Sequence, residues 1–135
     1  MPSSKEQSPE FFVDRSLGKS IVEGLRATGL TVYSMADIYG ERRAQLLADE
    51  IWLRDAGEND WIVLTKDDAI RRRPAERDAL TEAAVRVFCL TNRNMRGVEQ
   101  IERFVSNRHR ILRQAQKPGP YIYGVYEKGL KRLWP

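Results

Sequence analysis

Hydrophobic positions along the chain form short apolar runs that alternate with amphipathic segments. Runs that are apolar without alternation are typical of strands buried on both faces of a parallel sheet. Runs of apolar, aromatic and β-branched residues predict five strands, at residues 11–13, 31–34, 61–65, 85–90 and 121–126. The strand at 61–65, Trp61-Ile62-Val63-Leu64-Thr65, has the clearest pattern.

Segments with helical spacing of apolar residues separate these strands. They predict a helix over 18–28, a short helix over 41–47, a helix from Asp49 that Gly57 ends, a helix after residue 68 that Pro74 interrupts or restarts, and a long basic helix over 98–115. Residues 36–40 are expected to form a loop. The tail over 128–135 carries Leu130, Leu133 and Trp134 and is expected to dock on the body of the protein.

Strands that alternate with helices predict a parallel sheet covered on both faces by right-handed crossovers. The expected fold is α/β, a three-layer α/β/α arrangement with a central, mostly parallel sheet of four or five strands. The chain of 135 residues is long enough for one domain with its own core. We expect a single domain over 11–135, preceded by a flexible lead-in over 1–10.

Composition excludes several classes of site. A single cysteine, Cys89, rules out an intramolecular disulfide framework and a thiolate zinc cluster, and a single histidine, His109, rules out a site of several imidazoles. No apolar run reaches the roughly 20 residues that cross a bilayer, and the N-terminus is too polar for a signal peptide. We therefore expect a cytoplasmic protein without a membrane partner.

The net charge of +4 conceals an uneven distribution. Residues 1–68 contain 8 Lys/Arg and 13 Asp/Glu, a net charge of −5, whereas residues 69–135 contain 15 Lys/Arg and 6 Asp/Glu, a net charge of +9. This uneven distribution has two explanations. Either it is ordinary surface charge, or the acidic half and the basic half each bind a different kind of ligand.

Acidic residues follow two of the predicted strands, where ligands bind in open α/β sheets. Asp14 ends the first strand, Asp67-Asp68 follows the third, and Asp49-Glu50 opens a predicted helix. Each acid has a structural alternative as a helix cap or a favourable first-turn charge. If they converge, however, their mutual repulsion calls for a bound cation, and an oxygen-only donor set favours Mg²⁺ or Mn²⁺.

Arginines are concentrated next to these acids. Arg71-Arg72-Arg73 follows Asp67-Asp68 directly, and further arginines lie on the long basic helix. Arginine binds phosphate through paired hydrogen bonds, and phosphate contacts dominate affinity for nucleic acids. A carboxylate cluster beside arginines therefore suits a phosphodiester substrate, although each arginine is also compatible with a solvated helix face.

Three stretches together resemble a PIN-like nuclease domain, close to the compact VapC-type toxins. They are Phe11-Phe12-Val13-Asp14-Arg15-Ser16-Leu17-Gly18, Asp49-Glu50-Ile51-Trp52-Leu53, and Trp61-Ile62-Val63-Leu64-Thr65-Lys66-Asp67-Asp68. The family pattern is an Asp closing the first strand, an acidic residue opening a central helix, and T-x-D after a later strand. The resemblance extends from Phe11 to about Leu90.

The resemblance implies Mg²⁺-dependent cleavage of RNA (with Mn²⁺ as an alternative metal) and a protein antitoxin as partner. It implies Asp14, Asp49 and Asp67 as catalytic, metal-binding carboxylates, with Glu50 or Asp68 as a fourth ligand. Arg15, Lys19 and Arg71, which lie near the acids in sequence, are expected to hold substrate phosphates.

Two other functions remain open from the residues. One is a non-catalytic module that binds RNA or protein through the basic half. The other is a receiver domain, with Asp67 as phospho-acceptor, Thr91 after the fourth strand and Lys128 after the fifth. The tryptophan-bearing tail and exposed apolar residues are also compatible with a homodimer.

Overall fold

The structure is a computed structural model that describes residues 8–92 and 94–135. Most of the predicted lead-in, residues 1–7, lies outside the described residues. The six strands are β1 (Glu10–Val13), β2 (Thr31–Tyr33), β3 (Ile62–Thr65), β4 (Arg86–Leu90), β5 (Tyr121–Tyr126) and β6 (Gly129–Trp134). The α-helices are α1 (Lys19–Ala27), α2 (Met35–Tyr39), α3 (Glu41–Leu46), α4 (Asp49–Glu58), α5 (Pro74–Glu82), α6 (Gly97–Ser106) and α7 (Arg108–Ala115). A short 3₁₀ helix, Asp68–Arg72, precedes α5.

The strands form one sheet in the order β2-β1-β3-β4-β5-β6. Neighbouring strands are parallel except for β6, which pairs antiparallel with β5. The predicted fold class is confirmed, and the sheet has one strand more than the four or five expected. The added strand is the tail, which docks by extending the sheet.

Two hydrophobic cores lie on opposite faces of the sheet. Phe11, Val13 and Leu64 face the core covered by α1, α6 and α7, whereas Phe12 and Val63 face the core built with α4 and α5. Successive side chains of a strand point to opposite faces, so a strand covered on both sides requires apolar residues at every position. This explains the unbroken apolar runs in the sequence.

Two helical predictions were wrong in detail. The segment expected to be a loop over 36–40 forms α2, because the Ser34 hydroxyl accepts a hydrogen bond from the Asp37 amide while the Asp37 carboxylate accepts one from the Ser34 amide. The single helix expected over 98–115 divides at Asn107, whose buried side-chain amide donates to the carbonyl oxygens of Arg103 and Tyr126. This asparagine ties the α6–α7 junction to the end of β5.

The strand order reverses next to β1, and this positions the site. The chain passes from β1 to β2 on one side and then crosses to β3 on the other side of β1. At such a reversal the crossover connections diverge and leave a crevice beyond the carboxyl ends of the strands. Asp14 and Asp67, which follow β1 and β3, therefore lie at the same edge of the sheet. No helix in the described part of the chain is long and apolar enough to span a bilayer.

Candidate active site

Asp14 and Thr65 are joined across the ends of β1 and β3. Val13 is paired in register with Leu64, so the next residue on each strand lies at the carboxyl edge of the sheet. The Thr65 hydroxyl donates to Asp14 Oδ2 at 2.8 Å and accepts from the Asp67 amide at 3.0 Å. A single buried hydroxyl thus fixes the Asp14 carboxylate and the start of the Asp67 loop.

The Asp14 carboxylate is buried, with only 4% of the residue exposed. Its Oδ1 atom accepts hydrogen bonds from the backbone amide and the hydroxyl of Ser16. Burial, with a smaller contribution from the nearby charge of Asp67, raises the pKa of Asp14 to about 6, against the lowering effect of the Ser16 and Thr65 hydrogen bonds. Near neutral pH this carboxylate is anionic at an energetic cost.

Three other carboxylates converge beside it, those of Asp49, Asp67 and Glu76. One ligand oxygen from each lies within 4.8 Å of the other two. Asp49 is the first residue of α4 and Glu76 lies in the first turn of α5, so the adjacent N-termini of these two helices supply two of the three groups. At the C-terminal ends of α4 and α5, Gly57 approaches Ala83 so closely that a Cβ added to Gly57 would lie 2.2 Å from the Ala83 carbonyl oxygen. The close packing of α4 on α5 is what brings the two acids together.

Arg73 neutralises part of this negative charge. Its Nη1 atom lies 2.9 Å from Asp67 Oδ2, 2.9 Å from Glu76 Oε1 and 3.8 Å from Asp49 Oδ2. Arg73 is the N-cap residue of α5, so the same turn supplies both the cation and, three residues on, Glu76. One guanidinium therefore holds all three carboxylates in place.

Glu76 was missed by the sequence interpretation. It is 7% exposed, and it shares the inward face of α5 with Ala79 and Leu80, at helical spacings of three and four residues. Burial, with a smaller contribution from the charge of Asp49, raises the pKa of Glu76 to about 7, against the lowering effect of the Arg73 hydrogen bond. An acidic residue on the apolar face of a helix, nine positions after Asp67, was the signal that would have found it.

The predicted acidic residues do not all join this group. Asp14, Asp49 and Asp67 lie at one edge of the sheet, as expected. Asp68 opens the 3₁₀ helix, with its carboxylate 3.9 Å from the guanidinium of Arg71, and Glu50 is half-buried in α4; neither belongs to the three-carboxylate group. Their roles as ligands, like those of the other acids, remain predictions.

The predicted phosphate-binding residues have different surroundings. Arg15 donates to Asp49 Oδ1 at 3.0 Å and to the carbonyl oxygens of Ala44 and Leu47. Lys19 is exposed at the start of α1 and, with Arg15 and Asp14, lines a cleft of about 830 Å³. The guanidinium of Arg15, which lines the same cleft, is already hydrogen-bonded to other residues of the protein.

Comparison with known proteins identifies the fold family. A family model described as a PIN like domain matches residues 9–92, which include Asp14, Asp49, Asp67 and Glu76. The chain belongs to the PIN-like domain family. This PIN-like protein is 34% identical over 123 residues to the putative ribonuclease VapC45 of Mycobacterium tuberculosis, an alignment that covers 90% of the chain and 89% of the relative. The resemblance drawn from the sequence is confirmed. No solved structure gave a significant match.

Proposed function

We propose that this PIN-like protein is a metal-dependent endoribonuclease that acts as the toxin of a toxin–antitoxin pair. The observation that carries the proposal is the convergence of Asp49, Asp67 and Glu76, whose ligand oxygens lie within 4.8 Å of one another. Asp14 is linked to this group through the Thr65 hydroxyl, which also accepts from the Asp67 amide. The ribonuclease named among its relatives supports RNA as the substrate.

The donor set fits a hard divalent cation. All the groups offered are carboxylate oxygens, which Mg²⁺ and Mn²⁺ prefer. Arg73 contacts all three acids and Arg15 contacts Asp49, so two positive charges already offset part of the repulsion, and a divalent ion would relieve the repulsion that remains. We propose Asp49, Asp67 and Glu76 as ligands, and Asp14, which Thr65 ties to the start of the Asp67 loop, as a fourth carboxylate that stabilises the cation. Mg²⁺ is our preferred metal, with Mn²⁺ as the alternative.

The surrounding residues keep these carboxylates in position. Thr65 and Ser16 donate to both oxygens of Asp14 and hold its plane fixed. Arg15 and the Trp52 indole both donate to Asp49 Oδ1, which orients its other oxygen toward the group. A divalent ion held by these carboxylates would activate water and stabilise negative charge on a phosphodiester, so no histidine base would be required.

Cleavage of a structured RNA tests the proposal. We expect fragments with Mg²⁺ or Mn²⁺ and none with EDTA. Glu76→Gln keeps the size of the side chain but removes its charge, and we expect it to slow cleavage by more than about 100-fold, since even outer partners of metal ligands contribute about 10- to 100-fold. Asp14→Asn and Asp67→Asn are expected to behave in the same way.

Glu82→Gln is the matched control, because Glu82 is an exposed residue of the same helix. It should cleave at the wild-type rate. Cleavage that continues in EDTA, or that Glu76→Gln and Asp67→Asn leave unchanged, would refute the proposed site. Several RNAs should be assayed, because toxins of this class are selective.

Family membership does not favour the two alternatives. A receiver would use Asp67 as phospho-acceptor, but here Asp67 accepts hydrogen bonds from Arg73 and from the Ala69 amide within an acidic group. A binding module without activity would not need four carboxylates gathered at the carboxyl ends of β1 and β3 and the N-termini of α4 and α5. Salt-sensitive RNA binding without cleavage would favour the binding module. Labelling of Asp67 by acetyl phosphate would favour the receiver domain.

We also propose a protein antitoxin as partner, on the strength of the VapC-type relative. A cytoplasmic location and a homodimer remain predictions from the sequence. Light scattering of the purified chain, alone and after co-expression with the product of a neighbouring gene, would test both partnerships.

A further inference from the structure

One strongly basic surface lies away from the acidic site. It consists of five cations, which we call the α7–β6 basic surface: Arg108, Arg110, Arg113 and Lys117 on and just after α7, and Arg132 on β6. Neither α7 nor β6 contains an acidic residue. Within residues 8–92 and 94–135, none of these five cations forms an ion pair.

The five cations belong to one face of the sheet. Ile111 and Ala115 of α7 are buried in the core beneath that face, which leaves Arg110 and Arg113 as a basic stripe on the outer side of the helix, and Lys117 continues the stripe just beyond the end of the helix. Arg132 is paired in register with Tyr123, which contributes to the same core, and its guanidinium lies 5.6 Å from the Tyr123 ring centroid. α7 packs against β6, so the helix and the strand form a continuous surface.

Protection of an exposed sheet edge explains only part of this charge. β6 is the last strand of the sheet, and cations on an edge strand discourage pairing with other chains. That explanation covers Lys131 and Arg132 but not the stripe on α7, which is a helix on the face of the sheet. The stripe needs a different cause.

The surface suits a phosphate backbone better than a protein. Protein interfaces are anchored by large apolar or aromatic side chains at their centre. The exposed large apolar residues of the described chain are Ile38, Leu46, Ile51, Val98 and Tyr126, and none belongs to α7 or β6. A surface of arginine and lysine without apolar anchors is typical of proteins that bind nucleic acid through the charge of its phosphates.

We propose that the α7–β6 basic surface is a second RNA-binding site, which holds the phosphate backbone of the substrate outside the catalytic cleft. The proposal rests on the proposed ribonuclease function. β6 is three strand spacings from β3, about 14 Å across the sheet at roughly 4.8 Å per spacing. The C-terminal end of α7 is further away still, because the Ala115 carbonyl accepts a hydrogen bond from Arg86, the first residue of β4, whereas Asp67 lies at the carboxyl ends of the strands. A strand of RNA that reaches from Asp67 to this surface must therefore continue for several nucleotides beyond the bond that is cleaved. Longer or structured RNAs gain these contacts, and very short ones do not.

Binding of a fluorescent RNA hairpin with a single-stranded tail tests the proposal by anisotropy at several salt concentrations. All proteins carry Asp14→Asn, so that the RNA stays intact. The test variant is Arg113→Gln/Arg132→Gln. The matched control is Arg77→Gln/Lys131→Gln, which loses the same charge from exposed positions, with Lys131 on the opposite face of β6 from Arg132. In 0.1 M salt we expect the test variant to bind about 25-fold more weakly, about fivefold for each lost phosphate contact, with a shallower salt dependence.

Equal affinities for the test variant and the control would overturn the proposal, as would undetectable binding by the parent protein. The proposed function is judged separately, by cleavage with Asp14 intact. If the wild-type protein cleaves a trinucleotide and the hairpin, the test variant should lose efficiency only on the hairpin. If both variants, with Asp14 intact, cleave the hairpin at the same Mg²⁺-dependent rate, the nuclease function is supported and the second RNA-binding site is refuted. If the test variant alone loses RNA binding and the wild-type protein does not cleave RNA, the second RNA-binding site is supported and the proposed nuclease function is refuted.

Discussion

Arg73 Nη1 lies 2.9 Å from Asp67 Oδ2, so the residue that follows the 3₁₀ helix is bound to the acid that precedes it. The same nitrogen also contacts Glu76 and lies 3.8 Å from Asp49. The site therefore contains its own counter-charge, at the centre of three carboxylates. The stability of the protein and its affinity for metal should both depend on this arginine.

Arg73→Ala should destabilise the protein in metal-free buffer, because Asp67 and Glu76 lose the cation that contacts them, while Asp49 keeps its contact with Arg15. Since the arginine side chain is 44% exposed, we expect a modest loss of about 1 kcal/mol, which lowers the melting temperature by about 3 °C. Excess Mg²⁺ should stabilise the variant more than the wild type. Thermal melts with EDTA and with Mg²⁺ measure both effects.

Arg72→Ala provides the control for that prediction, because Arg72 is exposed in the same short segment and belongs to no ion pair of the described chain. It should melt like the wild type in both buffers. If Arg73→Ala melts like Arg72→Ala with and without Mg²⁺, Arg73 does not balance the charge of the site.

Asp14 should make the stability of the metal-free protein depend on pH. Its pKa is about 6 in the folded state against 3.8 for an unperturbed carboxyl, so between these values the folded state binds more protons than the unfolded state. Stability from this group is complete below pH 3.8 and is lost as pH rises to about 6 and above, by up to about 3 kcal/mol. Asp14→Asn should remove this dependence, so that its stability relative to wild type improves from pH 4 to pH 7.

Urea unfolding in EDTA across that pH range measures the difference. Asp78→Asn, at an exposed position of α5, is the control and should follow the wild-type pH profile. A constant difference between Asp14→Asn and wild type from pH 4 to pH 7 would contradict the raised pKa of Asp14.

Arg15 provides a test between two roles. The resemblance predicts a phosphate ligand, whereas the structure has its guanidinium bound to Asp49 and to carbonyl oxygens at the end of α3. If positioning Asp49 is its role, Arg15→Ala should weaken Mn²⁺ binding by about 10-fold, as for other outer partners of metal ligands, and leave the salt dependence of RNA binding unchanged. Calorimetry and anisotropy measure the two quantities.

Lys19→Ala is the comparison for Arg15→Ala, since Lys19 lines the same cleft and is exposed. As a phosphate ligand it should show the opposite result, with normal Mn²⁺ affinity and a salt slope that is shallower by about 0.7 to 0.9. If Arg15→Ala also has normal Mn²⁺ affinity and a shallower salt slope, Arg15 is a phosphate ligand, as the resemblance implies.

The parts of the fold that depend on local pattern were predictable from the sequence. β1 and β3 are apolar where both faces are covered, and each is followed by an acid, so the strand pattern alone predicts Asp14 and Asp67 at one sheet edge. α2 was not found because its five residues are too few for a clear apolar period, and its stability comes from the Ser34–Asp37 capping box. β6 was not found because a bulge opposite Ile122 and Tyr123 breaks its alternation.

Contacts between elements account for what was missed in the site. Glu76 becomes a partner of Asp49 only when α5 packs on α4, and its Arg73 contact requires the turn at the start of α5. Arg15 was assigned by its nearness to Asp14 in sequence, but its partners Ala44 and Leu47 lie about 30 residues further on. Sequence spacing indicates which strand ends meet, and it does not indicate which helix completes the group.

The position of the bound metal is the most direct test of the proposed site. Crystals of the protein soaked in Mn²⁺ should give an anomalous difference peak bounded by carboxylate oxygens of Asp49, Asp67 and Glu76. The peak should be lost in Glu76→Gln and retained in Glu82→Gln. A peak in wild-type crystals that these three carboxylates do not contact, or a peak that Glu76→Gln leaves unchanged, would contradict the assignment of Asp49, Asp67 and Glu76 as the metal site.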